Sequence, residues 1–182
     1  MKEIKEKDTK IRKVKYRGEL DLLGFKLPCY VLEDGTRVLS GRGMQNALKM
    51  TDESDKQSSG GRLVENLGQK SLQPFINREK GLVGFEPIIS YDGNKEIHGY
   101  KASLLPDICN IYLEARRSIR LSPRQGIIAN QCEILLGALA KVSIDALVDE
   151  ATGYQKVREK TLQEILRLYV SEEILKWQKL FI

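Results

Sequence analysis

Cys29-Tyr30-Val31-Leu32-Glu33-Asp34-Gly35-Thr36-Arg37-Val38-Leu39 is the stretch that decides the class of fold. Two short runs of β-forming residues flank Asp34-Gly35, and glycine accepts the positive φ that a tight hairpin turn demands. An antiparallel sheet is therefore expected here. Upstream, Glu19-Leu20-Asp21-Leu22 alternates, Gly24 permits a turn, and Phe25-Lys26-Leu27 resumes the strand pattern. Pro28 cannot donate a ladder hydrogen bond, which predicts a strand start or an edge. Downstream, Ser40 is placed to cap a short helix from Gly43 to Leu48. Residues 51–62 are polar, rich in Gly and Ser, and without periodicity, so a mobile loop is expected. Leu72, Phe75 and Ile76 predict a short packed segment over 67–76. Pro87 to Tyr91, a turn at Asp92-Gly93-Asn94, and Glu96 to Tyr100 predict a second hairpin.

Beyond Tyr100 the period changes to that of a helix. Leu104, Leu105, Ile108, Ile111, Tyr112 and Ala115 recur at spacings of three and four, which makes one apolar stripe. Ser122-Pro123 supplies a cap and a first helical residue. A long helix is predicted from there through Ile127, Ile128, Leu135, Leu139, Val142 and Leu147. It ends near Thr152, with Gly153 available for a left-handed terminating conformation. A last helix is predicted from about Arg158 to Phe181. The expected class is thus α+β, with N-terminal β-hairpins and short helices followed by a C-terminal helical bundle. The organisation that follows is a basic flexible arm over 1–15, a β-rich subdomain over 16–101, and a helical subdomain over 102–182. The apolar end, Trp177 to Ile182, predicts a helix that docks on the core or on a second copy, or a chain cut short; a homo-oligomer joined through that helix is expected.

Composition narrows the class of function. The chain has 182 residues, 41% hydrophobic and 30% charged, which is ordinary for a globular protein able to bury a core. Cys29, Cys109 and Cys132 are an odd set with no CxxC spacing, so they read as free thiols in a reducing, cytoplasmic setting. No apolar run approaches the roughly 20 residues that a membrane span requires, and the N-terminus lacks a signal-peptide core. Residues 1–17 carry eight basic and three acidic side chains, an excess of five that equals the +5 of the whole chain. The rest of the chain is neutral on balance.

Catalytic constellations are scarce. His98 is the sole histidine and sits in the second hairpin, where packing or hydrogen bonding is the expected role. No spacing of His, Cys or carboxylates predicts a metal site. Asp149 and Glu150 are helical neighbours pointing about 100° apart, so they do not face one centre. Ser58-Ser59-Gly60-Gly61-Arg62 lacks the Lys-Ser/Thr of a phosphate loop. No enzyme activity and no cofactor are expected. The notable cluster is cationic: Arg116, Arg117, Arg120 and Arg124 span the junction of two predicted helices. Arg37 and Arg42 near the first hairpin, with Lys13, Lys15 and Arg17 of the basic segment, complete a candidate phosphate-contacting surface.

Several segments together carry a resemblance. They are Leu27 to Ser40, Leu72 to Ile76, His98 to Arg116, and most specifically Ala146-Leu-Val-Asp-Glu-Ala-Thr-Gly-Tyr-Gln-Lys-Val-Arg158. The chain resembles a bacteriophage and prophage protein family bearing this Asp-Glu-Ala-Thr-Gly-Tyr-Gln signature, over nearly all of its length after Arg17. The resemblance brings no activity with it. It implies a further Pro- and aromatic-containing stretch beyond the tryptophan helix, which a sequence ending at Ile182 does not carry. The order of hairpin, short helix, second hairpin and paired helices is also similar to the KilA-N and Bro-N domains of phage antirepressors. That likeness implies a DNA-associated regulator, with DNA as partner. The alternative is a factor that binds a host or phage protein.

Overall fold

A computed structural model describes residues 11–22, 24–51, 61–79, 82–156 and 159–180. Five antiparallel strands form one sheet: β1 (Val14–Leu22), β2 (Phe25–Leu32), β3 (Arg37–Ser40), β4 (Ile88–Asp92) and β5 (Lys95–Lys101), in the order β1-β2-β3-β5-β4. Among the described residues six α-helices accompany them: α1 (Gly41–Ala47), α2 (Arg62–Leu67), α3 (Gln73–Glu79), α4 (Leu104–Ser118), α5 (Pro123–Thr152) and α6 (Leu162–Leu180). The architecture is α+β, as the two periodicities require.

The hairpins form where local chemistry places them. Gly35 takes φ 80° between β2 and β3, and the Asp34 carboxylate accepts from the Thr36 amide at 2.9 Å. Ser40 Oγ accepts from the Gly43 amide at 3.0 Å, so α1 is capped, although it starts at Gly41 and ends at Ala47 rather than spanning 43–48. Val14 and Lys15, expected in the arm, already belong to β1. The remainder of that arm, 1–10, lies outside the described residues, as do 52–60 of the expected loop.

Pro28 is not at a strand start; it lies inside β2, opposite Glu19 of β1, at a point where β2 is paired on that side only and so forms a local edge. Its missing donor is tolerated because the β2–β3 ladder ends at Cys29, one residue before it. The sheet also curls until its edges touch. Lys13 bridges Tyr91, the Tyr91 amide donates to the Arg12 carbonyl at 2.8 Å, and Arg17 pairs with Asp92. This contact protects both edges from further strand pairing.

One sheet face carries Leu22, Leu27, Leu39 and Tyr100 into a core shared with Met44, Leu63, Ile76, Ile108, Ile128, Leu135 and Leu166. Burying each such leucine or isoleucine contributes about 2 kcal/mol. The opposite face holds a small cluster of Leu32, Val38 and Ile88 inside the curl. The whole predicted stripe of α4 is buried. In α5, Ile128 and Leu135 are buried, whereas Ile127 is 47% exposed. Helix α5 opens with a reciprocal cap: Ser122 Oγ accepts from the Gln125 amide, and Gln125 Oε1 accepts from the Ser122 amide. It closes at Gly153 with φ 75°. Helix α6 starts at Leu162, later than the expected Arg158, because Thr161 and Glu164 form a second capping box. Among the described residues, no helix is long and apolar enough to cross a membrane.

Candidate functional site

The predicted cations fall into three places. Lys13, Lys15 and Arg17 lie at the start of β1. Arg17 pairs with Asp92 at 3.1 Å, and the Lys15 ammonium sits 5.5 Å from the Tyr16 ring centre. Arg37 is exposed on β3, and its carbonyl accepts from the Ala102 amide at the foot of α4. Arg42 is exposed on α1. The remaining four arginines surround the α4–α5 corner, at the far end of α4. At 1.5 Å per residue, that end lies about 20 Å from the foot where Arg37 is held. Arg37 therefore stands the length of α4 away from the corner arginines. Arg42 instead lines a separate cleft that includes none of the corner arginines.

Within the corner, Arg116 is structural. Its guanidinium bonds Glu133, reaches Asn130 Oδ1 at 3.3 Å, and lies 5.9 Å from the Trp177 ring centre, which links α4, α5 and α6. Arg117 and Arg120 are exposed, and no ion-pair partner is present for either among the described residues. Arg124 is half-buried in the first turn of α5, a turn without acidic residues. The corner is fixed from below. Gln125, 4% exposed, donates to Gln69 Oε1 at 2.6 Å and to Ser71 Oγ at 2.9 Å. The corner thus carries exposed Arg117 and Arg120 beside half-buried Arg124 at the junction of two helices.

The second feature is a cleft of 690 Å³ lined by Tyr30, Arg42, Lys95, Glu96, His98 and Tyr100, among others. His98 Nε2 is hydrogen-bonded to Glu96 Oε1, and the Tyr91 hydroxyl donates to Glu96 Oε2 at 3.1 Å. Those two bonds, His98 first, hold the Glu96 carboxyl below the usual carboxylate range, and the bond to Glu96 pushes the Tyr91 phenol up. Burial raises Tyr30 and Tyr100. An imidazole oriented by a carboxylate is half of a nucleophilic triad, yet no serine or cysteine bonds His98 among the described residues. Sequence reasoning missed Tyr30, Lys95 and Glu96 as cleft residues, since their proximity to Arg42 arises from sheet order and has no local signal.

All three cysteines are free thiols. Cys109 and Cys132 are buried neighbours on α4 and α5, and their mutual hydrogen bond and burial raise the Cys132 thiol well above its ordinary value. Among the described residues no group of three His, Cys, Asp or Glu side chains could hold a metal ion. Of the 149–155 signature, the side chains of Asp149, Glu150, Ala151 and Gln155 lie outside the described residues. The Thr152 hydroxyl donates to the Val148 carbonyl at 2.8 Å and so finishes α5.

Fold and site together define an α+β protein in which a curled antiparallel sheet presents a helical layer with a cationic corner. Comparison of the chain with protein-family models, curated proteins and solved structures finds no match.

Proposed function

We propose that this chain is a phage- or prophage-type regulatory protein that associates with DNA through phosphate contacts at the α4–α5 corner. The observation that carries the reading is the pair Arg117 and Arg120, exposed and without ion-pair partners among the described residues, beside Arg124 in an α5 first turn that lacks acids. Arginine in that setting makes charge-assisted bonds to phosphate and adds to the favourable potential of the helix start. Contacts of this kind position a protein on a duplex without reading sequence. The resemblance to phage antirepressor domains agrees with the reading. The test is fluorescence anisotropy of a labelled duplex at low salt, with wild type and the Arg117→Ala/Arg120→Ala double variant. Wild type binds, and the double variant loses most of that affinity. Equal affinity of the two proteins, or no wild-type binding, refutes the proposal.

A second reading, a factor that binds a host or phage protein, rests on a different observation. Leu168 and Leu175 are 50% and 55% exposed and seven residues apart, so they share the face of α6 opposite Leu166 and Val170. Two apolar side chains on one outward face make a contact strip for another protein or for a second copy. Analytical ultracentrifugation at rising concentration distinguishes self-association, which Leu168→Glu/Leu175→Glu abolishes. A strict monomer at all concentrations removes the homo-oligomer from this reading.

A further inference from the structure

The cleft exists because β3 is short. Its pairing with β2 stops at Cys29–Leu39, and its pairing with β5 stops at Ser40–Gly99. Beyond that line Phe25 to Pro28 of β2 remain paired with β1, and Lys95 to His98 of β5 remain paired with β4. No strand lies between them, so the sheet has a notch. Pro28 stands on its wall, where no donor is demanded of it. Helix α1 leaves from the notch, with Gly41 so close to Tyr100 that a Cβ there would lie 3.2 Å from the ring.

Among the described residues, cations outnumber carboxylates in the notch lining. Arg42 and Lys95 line it, both exposed and with no ion-pair partner among the described residues. The one carboxylate in the lining, Glu96, is already engaged by His98 and Tyr91. Those bonds hold Glu96 ionised, so among the described residues the lining sets two cations against one carboxylate; the cations, one a planar fork and one a point charge, are of the kinds that bind phosphate. The other walls are Pro28, Tyr30, Val64, Ile97 and Tyr100. A volume of 690 Å³ with such walls accommodates a ring-bearing ligand far larger than a bare oxyanion. Tyr100 is buried in the core, so Tyr30 is the lining ring able to meet a planar π-face.

The geometry points to the notch where β3 leaves the sheet as a binding site for a nucleotide phosphate, with Arg42 and Lys95 holding the phosphate and the half-buried Tyr30 side of the wall holding the base. This goes beyond the DNA contact at the α4–α5 corner and does not depend on it. The same chemistry is offered by a free mononucleotide and by the 5′-phosphorylated end of a strand.

Isothermal titration of the full chain with adenosine 5′-monophosphate, inorganic phosphate, and a short oligonucleotide with and without a 5′-phosphate tests the site. The monophosphate binds one to one, and inorganic phosphate binds at least about tenfold more weakly. Arg42→Ala and Lys95→Ala, both at exposed positions, each weaken the monophosphate by about tenfold or more with the thermal midpoint unchanged. The Arg117→Ala/Arg120→Ala variant leaves that affinity intact. Displacement of the monophosphate by the phosphorylated oligonucleotide alone identifies a strand end as the ligand, and its absence identifies the free nucleotide; either supports the site. No heat with the monophosphate, equal affinity for inorganic phosphate, binding unaltered in both notch variants, or loss in the corner variant overturns it.

Discussion

Gly99 is the position where a single methyl group matters most. A Cβ there would lie 2.6 Å from the Leu39 carbonyl oxygen and 2.4 Å from Val38 Cγ1. The side chain can swing away, but the backbone oxygen cannot, because β3 and β5 pair at that point through Ser40–Gly99. Gly99→Ala therefore pushes two central strands apart, and overpacking of this kind costs about 1–3 kcal/mol. The urea midpoint should fall with the slope unchanged, and a midpoint equal to wild type refutes the close approach. Gly126 is the opposite case. A Cβ there meets nothing within 4 Å, and the residue lies in the first turns of α5 without a positive φ. Gly126→Ala should raise stability by about 0.5–1 kcal/mol through the ordinary helix preference. The two glycines have the same local chemistry; only the neighbours decide the sign.

Helix α6 shows what holds an element in place and how much of that can be read in advance. Its inner face buries Leu166 and Val170, and Arg167 reaches Asp21 of β1 at 2.9 Å. Glu173 fits against Gly137 of α5, where a Cβ would lie 3.1 Å from its carboxyl carbon, and it pairs with Lys176 and Lys141 at 2.9 Å each. The bonds from Lys176 and Lys141 hold the Glu173 carboxyl below the usual carboxylate range. A carboxyl depressed in the folded state stabilises above its ordinary value, and that contribution is lost as the pH falls through the folded value. Glu173→Gln should thus lower amide-exchange protection of α6 at neutral pH, and the gap from wild type should close in acid below the ordinary carboxylate range. A gap that persists there refutes the electrostatic account. The helix itself was legible in its apolar periodicity, but its start was set too early, although Thr161-Leu-Gln-Glu164 is a capping signature in plain sequence. The Ser122 cap and the Gly153 terminus were legible because each acts within one turn. The rule that proline avoids ladder donation is local, whereas the ending of β3, which makes the local edge at Pro28, is a fact of sheet order. Arg116 was counted as available because its partner Glu133 lies 17 residues on, across a helix junction.

At the scale of the whole molecule, the number of cations that can meet one polyanion is the quantity on which the DNA reading turns. Nine are expected to contact nucleic acid, Lys13, Lys15 and Arg17 from the basic segment and Arg37, Arg42, Arg116, Arg117, Arg120 and Arg124 on one surface. The fold gives Arg17 to Asp92 and Arg116 to Glu133, and it sets Arg37 at the opposite end of α4 from the corner. At the corner Arg117 and Arg120 remain exposed, with Arg124 half-buried beside them. The logarithm of a duplex affinity falls with the logarithm of salt at about 0.9 per neutralised phosphate. The two exposed arginines of the corner therefore contribute a slope of about −2, whereas nine cations on one face would give about −8. Arg117→Ala/Arg120→Ala should flatten the slope by about 2, and Arg37→Ala should leave it unchanged. The N-terminal basic segment has to be tested by removing residues 2–10 only, because a cut to Arg17 takes away the first half of β1 and with it the Arg17–Asp92 contact between the sheet edges. If anisotropy titrations from low to physiological salt return a slope near −8, the cations meet DNA together, and the separation of Arg37 from the corner by the length of α4 does not describe the bound protein.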